Sequence, residues 1–106
     1  MAQKLDSVAA RGIALQYADI LSRNFLLRQM FIFGSSVTGV ASEDSDIDIA
    51  VVADDFSGDA VDDMFRLMKS RRNIDLRIEP HAFLPSDFHE GNPFAAEIMR
   101  SGIRIV

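Results

Sequence analysis

Apolar side chains recur every three or four residues in three parts of the chain and predict three helices. The first stretch runs from Lys4 to Arg23, where polar residues fill the intervening positions as an amphipathic helix requires. A second stripe follows Ser57, which we expect to cap a helix that Asn73 breaks. The third begins at Pro93, a favoured first residue, and is capped by Gly102.

Short apolar runs between these helices have the length or the period of strands. Met30–Phe33 is a brief, aromatic-rich run, and in Asp46–Ala53 β-branched residues dominate. Ile74–Glu79 alternates strictly between apolar and charged residues, and Pro80 is expected to close it. Ile103–Val106 is predicted as a short final strand.

This order of elements predicts one α/β (α+β) domain spanning residues 1–106. We expect a small mixed sheet with helices mainly on one face and with the opposite face available for a ligand. The 106 residues, 48% of them apolar and 25% charged, are typical of a globular domain that buries its own core. Since the chain has no cysteine, disulfides and thiolate metal sites are excluded.

The charge and the distribution of apolar residues limit the partners that we expect. The formal net charge of -5 is opposite in sign to that of a domain that binds nucleic acid directly. The first ten residues lack the pattern of a signal peptide, and no apolar run approaches the length of a membrane span. The sequence therefore predicts a cytoplasmic protein that binds neither membranes nor nucleic acid.

The segment between the first two predicted strands combines glycine, serine and paired carboxylates. The turn Gly34–Gly39 can present backbone N–H groups and a hydroxyl to a phosphate, although these residues are also common in ordinary turns. Asp46 and Asp48 lie two apart in a predicted strand, so their carboxylates share one face. A hard cation such as Mg²⁺ would relieve their repulsion. The alternative is a solvated strand end beside Glu43 and Asp44.

A third acid, Asp75, lies on the next predicted strand. If that strand pairs with the strand of Asp46 and Asp48, three acids could share two metal ions, as in enzymes that catalyse in-line phosphoryl or nucleotidyl displacement. The other interpretation is an exposed Asp75 that is paired with Arg77 or Arg72. The spacing alone favours neither interpretation.

The two histidines give no comparable pattern. Neither His81 nor His89 has a carboxylate or a second histidine at the sequence spacing of a metal site. We therefore interpret both as surface or strand-end residues.

Taken together, the motifs resemble the signature of the polymerase beta-type nucleotidyltransferases. Gly34-Ser35 followed by Ser45-Asp46-Ile47-Asp48-Ile49-Ala50-Val51-Val52 is similar to the motif of the small stand-alone minimal nucleotidyltransferases of bacteria and archaea. The resemblance extends from Phe31 through Asp75 and includes the ending Asn92-Pro93-Phe94 to Ile103-Arg104-Ile105-Val106.

The resemblance implies a role for each matching residue. Gly34 and Ser35 would bind the triphosphate of a nucleotide, with ATP as the donor. Asp46 and Asp48 would bind Mg²⁺, with two ions in the site. Asp75 would complete the metal site and help to deprotonate the acceptor hydroxyl, so all three acids would be catalytic.

The resemblance also implies a protein partner. Minimal nucleotidyltransferases often act as antitoxins beside a helical HEPN-type toxin, and some transfer AMP to a tyrosine of that toxin. Many members carry arginine in the Gly-Ser turn, where this chain has Ser36 and Thr38. The alternative is therefore a catalytically weak module that neutralises its partner by occlusion. A small-molecule acceptor such as an aminoglycoside is disfavoured, because no second domain is present to hold it.

Overall fold

Helices and strands alternate along the chain in the computed structural model, which describes residues 7–38 and 46–106. In these two ranges the helices are α1 (Ser7–Asn24), α2 (Ser35–Thr38), α3 (Ala60–Ser70) and α4 (Pro93–Ser101). The strands are β1 (Leu27–Phe33), β2 (Ile47–Ala53), β3 (Ile78–Phe83) and β4 (Ile103–Arg104). No helix in the described ranges has the length and hydropathy needed to cross a membrane.

The strands form one mixed sheet in the order β3-β2-β1-β4. β1 runs antiparallel to both β2 and β4, whereas β2 and β3 are parallel. This arrangement confirms the predicted small mixed sheet. In its register, Asp48 of β2 lies opposite Phe33 of β1 and Glu79 of β3.

The two faces of the sheet have different coverings. On the face that we call the inner face, strand residues such as Ile32, Ile49 and Ile78 pack against α1 and α3 in the main core. On the opposite face, called the acid face because it carries Asp48, a smaller aromatic core packs against α4 through Ala95 and Ile98. The helices thus lie mainly on one face, as predicted, with α4 on the other.

The predicted cap of the second long helix is wrong. The residue that caps α3 is Asp59, whose side chain accepts hydrogen bonds from two backbone N–H groups of the first turn. Ser57 instead donates hydrogen bonds from its backbone nitrogen and its hydroxyl to the buried carboxylate of Asp63. Ser57 therefore bonds to a side chain of the helix and does not cap the helix.

The third strand also differs from its prediction. It begins at Ile78 and contains Pro80, whereas the sequence predicted a strand over Ile74–Glu79 that Pro80 would close. β3 is an edge strand, where a missing backbone N–H is tolerated. The alternating residues before it form turns, and the side chain of Leu76 is 66% exposed. The alternation of apolar and charged residues in this segment therefore does not mark a strand.

Other predicted bounds agree more closely with the structure. α1 matches its prediction from Ser7 onwards, and β1 begins earlier than predicted, at Leu27. α4 has the expected Pro93 in its first turn and Gly102 as its cap. The predicted helix start at Lys4 and the stretch 39–45, with Gly39, Glu43 and Asp44, lie outside the described residues.

Candidate functional site

The parallel pairing of β2 with β3 brings two carboxylates together on the acid face. Asp48 lies directly opposite Glu79 in the register, and His81 follows two residues later on the same face of β3. One possible ligand atom from each of these three residues lies within 4.8 Å of the other two. We call Asp48, Glu79 and His81 the ligand group.

His81 contacts Asp48 directly, with 3.2 Å between Nε2 of the imidazole and Oδ1 of the carboxylate. The side chain of His81 is 27% exposed and that of Asp48 is 25% exposed. The interpretation of His81 as an isolated surface residue is therefore wrong. Sequence spacing could not show the contact because strand register joins residues that are 33 positions apart.

Asp46 extends the ligand group at the start of β2. It is exposed, and its carboxyl group acts on that of Glu79. Desolvation raises the pKa of Glu79 above its usual value, and the neighbouring Asp46 and the negative charge of Asp48 raise this pKa further, while His81 opposes the rise. Three carboxyl groups thus crowd together, which makes the site suitable for a divalent cation.

Gly34 approaches the ligand group from the end of β1. Its φ of +77° lies in the left-handed region that favours glycine, and a Cβ at this position would lie 2.6 Å from Oδ2 of Asp48. The backbone conformation therefore favours glycine, and any side chain at this position would displace the carboxylate of Asp48. The predicted phosphate-binding glycine and the predicted metal-binding Asp48 are neighbours in the fold.

The residues after Gly34 form the short helix α2. Ser35, the second predicted phosphate-binding residue, is half-buried at its start. Ser36 is 1% exposed, so its hydroxyl lies inside the protein and not at the surface of the site. Nothing is described for the side chain of Thr38. Of the residues in this segment, Gly34 thus lies beside Asp48, whereas the side chain of Ser36 faces the interior.

Asp75, the third predicted acid, is held by a different partner. Its carboxylate accepts hydrogen bonds from the guanidinium of Arg77, at 3.0 Å and 2.8 Å, and from the backbone nitrogen of the same residue at 2.9 Å. The guanidinium bond is the main reason that the pKa of Asp75 lies below its usual value. Because β3 begins after this turn, the acid that the register places beside Asp48 is Glu79, and Asp75 is not in the ligand group.

Two recesses lie on either side of Phe94, whose side chain is 45% exposed at the start of α4. The smaller, of about 230 Å³, includes Phe33 and Gly34 in its wall. The larger, which we call the edge pocket, has a volume of about 380 Å³ and includes His81. Most of its other walls are apolar and come from α3, β3 and the segments beside them, including Phe56, Met64, Phe83 and Leu84. The edge pocket thus includes a member of the ligand group, and the smaller recess includes Gly34, which lies next to Asp48.

Comparison with known proteins agrees with this geometry. Residues 16–106 match the family described as "Polymerase beta, Nucleotidyltransferase". A solved structure from Sulfolobus solfataricus, described as a "putative nucleotidyltransferase", superposes with a TM-score of 0.64 over 92% of this chain and 80% of that one. The two sequences are 19% identical, so this likeness shows the fold alone. No curated protein gives a significant match. Because the family match covers most of the sequence, the chain belongs to the polymerase beta nucleotidyltransferase family.

Proposed function

We propose that this chain is a magnesium-dependent nucleotidyltransferase that transfers AMP from ATP to a hydroxyl group of a partner protein. The observation that carries the proposal is the register of β2 and β3, which places Asp48 opposite Glu79 with Asp46 alongside. Nucleotidyl transfer requires this kind of carboxylate cluster next to a phosphate-binding turn. Gly34 supplies that turn at the edge of the cluster.

The carboxylates of Asp46, Asp48 and Glu79 would hold two Mg²⁺ ions. When bound, Mg²⁺ neutralises phosphate charge and polarises the reacting oxygens. In this assignment Glu79 takes the role that the family resemblance implied for Asp75, since the carboxylate of Asp75 is paired with Arg77. Gly34 has no side chain to obstruct the triphosphate, so the backbone of Gly34 and Ser35 can approach the phosphate oxygens closely.

The proposed reaction forms one bond and breaks one. The oxygen of the acceptor hydroxyl attacks the α-phosphorus of ATP, and the bond from that phosphorus to the oxygen that bridges to the β-phosphate breaks. Pyrophosphate leaves with the electron pair of this bond, and the hydroxyl proton passes to a carboxylate, for which Glu79 is placed. The residues contribute mainly by positioning the reactants and by matching the charge that develops.

The two recesses beside Phe94 support separate places for donor and acceptor. We propose that the nucleotide occupies the side of Gly34 and that the acceptor side chain enters the edge pocket. The apolar walls from Met64 and Phe83 suit an aromatic side chain such as tyrosine. An acceptor of this kind favours a protein substrate, and with the resemblance to minimal nucleotidyltransferases it supports a HEPN-type toxin as the partner and an antitoxin role for this chain.

Mass spectrometry of a purified pair tests this function. The chain would be incubated with the helical partner protein, ATP and Mg²⁺, and we expect the partner to gain the mass of one AMP. Asp48→Asn should abolish the gain, while Asp54→Asn, an exposed acid paired with Arg28 at the far end of β2, should leave it unchanged. A pair that neither binds nor shows the mass gain would overturn the proposal.

A second candidate function is neutralisation of the partner by occlusion alone. The turn favours it, because Ser36 is buried and this chain carries no arginine between Gly34 and Gly39 to contact phosphates. A double variant, Asp46→Asn with Asp48→Asn, separates the two functions in cells that express the partner toxin. Continued protection would favour occlusion, whereas loss of protection with the pair still bound would favour catalysis.

A further inference from the structure

The ligand group contains a nitrogen donor, which Mg²⁺ does not favour. Magnesium is a hard ion that takes oxygen ligands, whereas imidazole suits first-row transition ions. Asp48, Glu79 and His81 together offer two carboxylates and one imidazole within 4.8 Å. This donor set fits a softer divalent ion than a site of carboxylates alone would.

The ring of His81 is held in place by aromatic neighbours. Its centroid lies 5.1 Å from that of Phe33 and 5.7 Å from that of Phe94, the latter in an edge-on arrangement at 82°. Phe33 and Phe94 also pack edge to face against each other, with centroids 5.5 Å apart. Packing on two sides restricts rotation of the ring and directs Nε2 at Asp48. A ligand that is positioned before the metal arrives loses little conformational entropy when it binds.

We propose that His81 is a direct ligand of the bound cation through Nε2 and that it shifts the preference of the site from Mg²⁺ towards first-row transition ions, for which Mn²⁺ serves as the probe. The inference rests on the proposed function, since it concerns the same metal site. Binding would exchange the contact between Nε2 and Oδ1 of Asp48 for contacts of both atoms with the ion. Glu79 would supply the second carboxylate from the same strand as His81.

Pulsed electron paramagnetic resonance on Mn²⁺ tests the ligand directly. Mn²⁺ added to the full chain should show coupling to one directly bound ¹⁴N nucleus. The coupling should be lost in His81→Gln and retained in His89→Gln. His89 is a matched control because it is the other histidine of the chain, is exposed, and accepts a local hydrogen bond from Gly91. Mn²⁺ that binds the wild-type chain with no ¹⁴N coupling would overturn the inference.

The ratio of Mn²⁺ to Mg²⁺ affinity, measured by calorimetry, gives a second readout. Loss of a residue that merely supports a metal ligand commonly costs about 10- to 100-fold in metal affinity. Since a direct ligand should matter at least as much, we expect His81→Gln to lower Mn²⁺ affinity by roughly tenfold or more while Mg²⁺ affinity changes less. An equal loss for both ions would mean that His81 only positions Asp48, and the inference would fail.

Nuclear magnetic resonance of the wild-type chain covers the case in which His81→Gln does not fold. Substoichiometric Mn²⁺ should broaden the ring signals of His81 far more than those of His89; equal broadening would contradict direct ligation. Failure of this inference can also be distinguished from failure of the proposed function. Mg²⁺-dependent ATP binding without nitrogen ligation removes only this inference, whereas binding of neither ion, with or without ATP, removes the proposed function as well.

Discussion

The inner face and the acid face of the sheet use the same strands in different ways. On β2, the residues that point to the inner face, Ile47, Ile49, Val51 and Ala53, are fully buried and apolar along the whole strand. The residues on the acid face change from Asp48 at the start of the strand to buried Ala50 and Val52 further on. The inner face is therefore uniform, whereas the acid face is divided into a polar end and an apolar end.

This difference indicates how so small a chain combines stability with a charged site. α1 and α3 cover the inner face, so most of the apolar burial does not depend on the acids. The aromatic residues Phe31, Phe83 and Phe88 pack together beside α4, and Phe33 and Phe94 contact His81 of the ligand group. Adjacent residues of β2 should accordingly affect different properties of the protein.

The largest expected effect on stability comes from the inner face. Ile49→Ala removes a fully buried side chain next to Asp48, and we expect it to lower the free energy of unfolding by about 2–5 kcal/mol. Urea unfolding followed by circular dichroism measures the loss. Asp48→Asn is the matched control and should change the free energy of unfolding by much less. An equal loss of unfolding free energy in both variants would contradict the claim that stability depends mainly on the inner face.

Two acids near the start of β3 should differ in metal binding. Glu79→Gln removes a member of the ligand group, and we expect Mg²⁺ affinity in the presence of ATP to fall by about 10- to 100-fold. Asp75→Asn alters a residue that is paired with Arg77 and should leave the affinity nearly unchanged. Calorimetric titration of both variants measures this. The reverse ranking would restore Asp75 as the third metal ligand.

A buried hydrogen bond ties together the two helices of the inner face. The hydroxyl of Tyr17 in α1 donates to the backbone oxygen of Leu67 in α3 at 2.7 Å. Tyr17→Phe should cost about 0.5–1.5 kcal/mol in denaturant unfolding, without an effect on metal binding. A loss of metal affinity in this variant would indicate that the faces are coupled.

The same tyrosine predicts how stability changes at high pH. Burial raises the pKa of Tyr17 above its ordinary value of 10.0, an effect that the charge of Arg71 partly offsets. The folded state therefore holds the hydroxyl proton more tightly than the unfolded state does. The resulting contribution to the free energy of unfolding is fully present below pH 10.0 and is lost progressively as the pH rises above it. Wild-type protein should lose unfolding free energy above pH 10 more steeply than Tyr17→Phe. Parallel curves would contradict the burial of the hydroxyl.

The smallest effect on stability is expected at low pH, through Asp75. Hydrogen bonds from Arg77 lower the pKa of Asp75 below its ordinary value of 3.8, so its contribution to stability is present above that value and is lost as the pH falls through the lowered pKa. The difference in unfolding free energy between wild type and Asp75→Asn should shrink accordingly in acid. A difference that does not depend on pH would show that the ion pair contributes nothing in solution.

Local patterns were sufficient for the helices, most of the strands and part of the site. Apolar periodicity located α1, α3 and α4, and Asp46 and Asp48, which the sequence predicted to act together, both act on the pKa of Glu79. These features depend only on the local period of the chain, about 3.6 residues for a helix and about 2 for a strand, and this period is visible in the sequence.

Features that depend on pairing between strands could not be predicted in this way. The choice between Asp75 and Glu79 as the third acid depends on where β3 begins, and the alternating residues from Ile74 to Arg77 imitate a strand although they form turns. The contact of His81 with Asp48 depends on the parallel register of β2 and β3. A residue pattern fixes which side chains share a face, but not which neighbour lies across from them.

The central claim is that the acid face binds a nucleoside triphosphate through a metal ion, and calorimetric titration of ATP into the purified chain tests it most directly. We expect binding in the presence of Mg²⁺ that disappears with EDTA and in Asp48→Asn, while Asp54→Asn binds like the wild type. ATP binding that persists unchanged in Asp48→Asn or in EDTA, or no binding under any of these conditions, would contradict the account.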